Sequence, residues 1–166
     1  MGLFDMFKED NQEMTPHFAF ATSLIYMIGA DGTVANEEVG QLLSVLGGED
    51  SGGTIGVGAN NQQLLDRAFK YHQKTPIDTF LSEATPVLTD AQKMCMLINI
   101  LDSSLSDGTA APEEQELFNK FLQAFGISEE RFKPFFDVIA LKNDRSVFTK
   151  TDHPSNQPGY NVKLKL

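Results

Sequence analysis

Six carboxylates fall in two matched turns. From Ala30 the chain reads ADGTVANEEV, and from Ser106 it reads SDGTAAPEEQ. Asp31 aligns with Asp107, Glu37 with Glu113 and Glu38 with Glu114, each pair 76 residues apart. Clustered carboxylate oxygens suit a hard divalent cation, because Ca²⁺ and Mg²⁺ take oxygen ligands. If the two units pair face to face, both turns lie at one end of the molecule. At 6–8 Å each like-charge pair then costs roughly 0.5 kcal/mol in water, and more when partly buried. A cation relieves that cost. The distance from Gly32 to Glu38, and from Gly108 to Glu114, equals that between the turn Gly and the bidentate Glu of an EF-hand loop. Neither turn is an EF-hand, since Met27, Gly29 and Leu105 would stand at ligand positions and offer no side-chain oxygen. An ion is therefore shared between the turns or held weakly. The candidate ligands are Asp31, Glu38, Asp107 and Glu114, with Ca²⁺ favoured over Mg²⁺ because flexible turns suit the larger ion.

The same residues have a purely structural reading. Gly32 and Gly108 can take positive φ and end a helix. Ala35 and Ala111 then fall at N-cap positions, Pro112 at N1, and Glu38 and Glu114 at N3, where a carboxylate reaches back to the N-cap amide. Glu37 and Glu113 sit in a first turn that favours negative charge. Capping and ion binding both remain open on these residues. Paired carboxylates can also serve as general acid and base, but no substrate-shaping feature accompanies them, and no catalytic residue is assigned.

The elements that must position these turns are helical. Thr15-Pro16 starts a helix that is apolar nearly all round, HFAFATSLIYMIGA, and it stops at Asp31-Gly32. A second helix is expected from about Asn36 to Leu46. Glycines crowd the stretch between 48 and 58, which reads as a flexible loop; it lacks the Lys of a phosphate loop. NQQLLDRAFKYHQK places Leu64, Leu65, Ala68 and Phe69 inward, and a short helix follows Thr75-Pro76. Thr89 and Gln92 form a capping box before AQKMCMLINILDSSLSD, again apolar nearly all round. After the second Asp-Gly, Leu117, Phe118, Phe121, Leu122 and Phe125 make one stripe that Gly126 ends. Ser128 caps a last helix carrying Phe132, Phe135, Phe136 and Ile139 at periods of three and four. The class is all-α, a compact bundle of six or seven helices built on a duplicated helix-turn-helix with a pseudo-two-fold relation. Residues 1–142 form the domain. Residues 143–166 form a polar, extended tail that lies over the surface or is partly disordered.

Composition narrows the partners. Thirteen Lys and Arg against 23 Asp and Glu give a net charge of −10. No basic cluster forms a phosphate-binding face, which argues against nucleic acid. Basic protein surfaces and cations are the expected partners, met through the acidic face, with a homodimer also in view. His17, His72 and His153 form no zinc-ligand spacing. Cys95, the single cysteine, lies in an apolar run and is expected to be buried. No secretory signal and no run of about 18 apolar residues is present, so no direct membrane insertion and a cytoplasmic location are expected. The opening GLFDMFK makes an amphipathic turn, and Met6 breaks the myristoylation pattern at Gly2.

The paired ADGTVANEE and SDGTAAPEE units, each after an apolar helix, resemble the TerB-like domain of tellurite-resistance proteins. The opening GLFDMFK is similar to the start of some members. The likeness covers roughly residues 3 to 142, and the same helical fold occurs in the N-terminal domain of membrane-anchored J-domain co-chaperones. The resemblance implies a compact all-α bacterial protein, cytoplasmic and associated with membranes through partners. It also implies a role in tellurite resistance, chemical stress and phage defence, an acidic motif that binds metal at Asp31, Glu38, Asp107 and Glu114, and no catalysis. Ala at both helix caps, where Ser or Thr is usual, and the long tail depart from the pattern. Three functional readings follow: an ion-binding stress module, a purely structural acidic docking domain, and a carboxylate-dependent hydrolase.

Overall fold

A computed structural model describes residues 13–32, 42, 61–106 and 108–160. Among them the chain is all-α. Helix α1 (Pro16–Ile28) begins where Thr15 Oγ1 accepts the Phe18 N–H and Pro16 takes the first helical position. Helix α2 spans Asn61–Lys74, α3 Ile77–Ala84 and α4 Asp90–Ser104. A 3₁₀ turn, Thr85–Val87, links α3 to the Thr89 cap of α4, whose two reciprocal bonds with Gln92 complete the capping box. Helix α5 (Pro112–Phe125) ends at Gly126 with φ +65, and α6 (Glu129–Asn143) is capped by Ser128. The expected second helix and the glycine-rich loop lie outside the described residues, except that Leu42 is helical and buried.

Helix α1 is the hub. Phe18 to Ile28 are all buried, and the helix packs against α2, α3, α4 and α5. An all-round apolar sequence needs such a position, because no face can be turned to water. Inside it Thr22 is fully buried and its hydroxyl has no hydrogen-bond partner among the described residues. A buried unsatisfied hydroxyl costs about 1–3 kcal/mol. Thr22→Val keeps the shape and removes that group, so urea unfolding should give a variant more stable by about 1 kcal/mol. A destabilised variant would show that the hydroxyl is satisfied in solution.

Helix α4 departs from expectation. It buries one stripe only, Met96, Leu97, Ile100, Leu101 and Ser104. Cys95 is exposed, not buried. At about 100° per residue Cys95 points away from that stripe, and its Sγ accepts a weak bond from Asn99 Nδ2 at 3.6 Å. An apolar run is thus not an all-round buried helix when Gln92, Lys93, Asn99 and Asp102 share it.

Helix α6 departs too. Phe132 is buried against Phe118, with ring centroids 5.3 Å apart, but Phe135 and Phe136 are 39% and 42% exposed. The periodicity of the stripe holds; what is missing among the described residues is a neighbour to cover its middle. The far end is fixed to α4, where Lys142 Nζ lies 2.6 Å from Asp102 Oδ2 and Asn143 Nδ2 donates to Asp102 Oδ1. Beyond α6, hydrogen bonds give the tail local form where no apolar stripe does. Helix α7 (Ser146–Thr149) and a 3₁₀ turn at Pro154–Asn156 are tied together by Asn156 Nδ2, which donates to Val147 O and Lys150 O. Asp144 accepts from the Ser146 backbone N–H and hydroxyl and faces His153 Nε2 at 2.9 Å. Those Ser146 bonds hold its carboxyl below the usual carboxylate range, helped by His153. Because His153 Nδ1 accepts the Ser155 N–H, the proton of the neutral ring is on Nε2, which donates to Asp144.

Candidate metal centre

The repeat extends to the backbone. In the first turn Gly29 N donates to Ile25 O, Ala30 N to Met27 O and Gly32 N to Gly29 O, at 2.9, 3.2 and 3.0 Å. In the second, Leu105 N donates to Leu101 O, Ser106 N to Ser103 O and Gly108 N to Leu105 O, at 3.0, 3.3 and 2.8 Å. Each bond has its counterpart at the sequence offset of the motif. The helices end in the same conformation, φ −85 and ψ 5 at Gly29 against φ −97 and ψ 5 at Leu105. Gly32 and Gly108 then take φ +84 and +96, in the left-handed region that a Cβ disfavours. Among the described residues no neighbour would touch a Cβ at either position, so the requirement for glycine is conformational.

Of the four candidate ligands, Asp31 and Glu114 are described, and Glu38 and Asp107 lie outside the described residues. Asp31 is exposed at the tip of the first turn. Glu114 is half-buried, and its Oε2 accepts the Ala111 N–H at 2.7 Å. This is one half of a capping box; Ala111 has no oxygen to supply the other half. Ala111 and Pro112 therefore stand at N-cap and N1 as the spacing indicates. Among the described residues no group of three or more His, Cys, Asp or Glu is placed to hold a metal ion. An ion between the turns would need Glu38 and Asp107 as well.

A cleft that sequence reading missed runs between the first turn and the start of α5. A space of about 480 Å³ is lined by Gly29 and Ala30 of the first turn and by Glu113, Glu116 and Lys120 of α5. Tyr26 and His72 line it as well. The end of α1 and the start of the helix after the second turn thus share one cleft. The His72 ring meets the Tyr26 ring edge-on, with centroids 4.7 Å apart, and its Cε1 and Nε2 lie close against Gly29. No signal in the sequence links His72 to Tyr26, because only the packing of α2 on α1 brings them together.

Burial holds the His72 imidazole below the usual histidine range. The folded state therefore binds fewer protons than the unfolded chain as pH falls through the histidine range. His72 contributes stability that is fully present above about pH 6.5 and is lost as pH drops below it. The urea midpoint should fall between pH 7 and pH 5, and His72→Phe, which keeps a ring beside Tyr26, should flatten that slope. An unchanged slope in the variant would remove His72 as its source.

Comparison with family models, curated proteins and solved structures gave no match to this chain. Among the described residues no helix is long and apolar enough to cross a membrane.

Proposed function

We propose that the chain is a non-enzymatic divalent-cation-binding module of the TerB-like type, acting in the cytoplasm in tellurite resistance and the response to chemical stress. Asp31, Glu38, Asp107 and Glu114 are the proposed ligands and Ca²⁺ the proposed ion. The observation that carries this reading is the repetition of the acidic turn down to its backbone hydrogen bonds. Two turns of one backbone geometry support a common role for the two acidic motifs, and the cleft lined by Gly29, Ala30 and Glu113 supports a common end for both units.

The second reading is an acidic docking domain without metal. The engagement of Glu114 with the Ala111 amide favours it, because capping alone then accounts for that residue. Calorimetric titration of the chain with calcium separates the two. Saturable heat near one ion per chain supports the ion site. Heat no greater than dilution at millimolar calcium leaves the docking domain.

A further inference from the structure

Phe148 is 92% exposed, although it sits in a helical turn that several hydrogen bonds hold in place. Asp144, Ser146, His153 and Asn156 build that support, and the turn presents a phenyl ring to solvent. Arg145, one helical turn before it, and Lys150, just after the turn, are exposed and form no ion pair within the described residues. The feature is an apolar knob with a basic collar.

The complementary feature lies on α5 and α6. A groove of about 500 Å³, larger than a phenyl ring, is lined by Phe118, Leu122, Phe132 and Phe136. Glu129 and Glu130 line it too, exposed and without an ion pair within the described residues, while Lys133, also in the lining, is neutralised by Asp137 at 2.8 Å. The stripe to which Phe132 and Phe136 belong has the spacing of a buried face, yet Phe135 and Phe136 stay exposed. It is an apolar hole with an acidic rim.

We infer that the Phe148 knob of one molecule docks into the Phe118–Phe132–Phe136 groove of a second copy. Apolar shape and opposite charge both match, and exposed apolar surface rimmed by polar groups marks interaction sites. The contact forms between copies. From Phe132 to Asn143 the helix advances about 16 Å, and the knob lies beyond that end, touching almost nothing of its own chain. Knob and groove are different surfaces, so the contact is head-to-tail and builds rings or open chains rather than an isologous dimer. One phenyl ring and its collar bury well under the roughly 1,200 Å² of a stable interface, so association is weak, on the order of 100 µM to 1 mM.

The test uses sedimentation equilibrium of the full chain up to about 0.5 mM, with circular dichroism to check each fold. Wild type should reach a weight-average mass at least about 1.5-fold that of the monomer. Phe148→Ala lacks the knob and Phe136→Asp lacks the groove, and each alone should stay monomeric. Mixed together they retain one working contact, and should form a 1:1 dimer and nothing larger. Glu129→Lys with Glu130→Lys should weaken association even though it lowers the net negative charge, which by itself favours association. A monomeric wild type, as when a segment of the same chain covers the groove, overturns the inference. So does association that survives Phe148→Ala, or a mixture that does not dimerise.

Discussion

Phe80→Ala is expected to destabilise the fold by about 3–5 kcal/mol. The ring is fully buried and stands at the meeting point of four elements. It stacks on Tyr26 of α1 with centroids 5.0 Å apart and an interplanar angle of 29°. It meets Tyr71 of α2 at 6.1 Å and Phe121 of α5 at 6.2 Å, both edge to face. Truncation removes the transfer energy of the ring and leaves a cavity that its three aromatic neighbours cannot close. Helix α3 has only eight residues, and Phe80, Leu81 and Ala84 are its buried anchors. Beyond these it has Ile77 at the core's edge and the exposed bond from the Tyr71 hydroxyl to Glu83. For a chain of this size the change should lower Tm by roughly 10 °C. Phe148→Ala is the control: an equal truncation at an exposed site, expected to stay within about 0.5 kcal/mol in dilute solution. A loss below about 1.5 kcal/mol for Phe80→Ala would mean that α3 repacks, and that the aromatic cluster is not the keystone its geometry indicates.

The second large effect concerns calcium. Under the proposed function an ion that binds only the folded state stabilises it by RT ln(1 + [L]/Kd), about 2.7 kcal/mol at a hundred times Kd. The double change Asp31→Asn and Asp107→Asn keeps size and much of the turn-forming ability of Asp while removing charge. Calcium should raise the melting point of the parent and leave that of the double variant unmoved. Without calcium the variant should equal or slightly exceed the parent in stability, because like charge has been removed. The capping reading gives a different pattern. Calcium then shifts neither protein, since Glu114 still accepts the Ala111 amide and the turns still rest on Gly32 and Gly108. Equal calcium shifts in both proteins would place the ion elsewhere on the acidic surface.

The sequence by itself determined the local events. Thr15, Thr89, Ser128 and Gly126 start or stop helices as their side chains and backbone freedom require. Ala111, Pro112 and Glu114 build the second unit's helix start from sequence-local bonds. These are contacts between residues within a few positions of each other, so spacing suffices to read them. The all-α class and the hub role of α1 were legible for a related reason: a helix apolar on every side has nowhere to go but the centre. Only the tertiary structure decided which apolar faces receive a neighbour. Cys95 and Phe136 both sit in runs whose hydrophobicity indicates burial, and both are exposed, because cover depends on where another helix passes. The cleft of His72 and Tyr26 beside Glu113, and the knob at Phe148, were hidden in the same way. Their parts lie far apart along the chain or are held by the tail's own hydrogen bonds, and pattern reading carries no information about pairings that only packing creates.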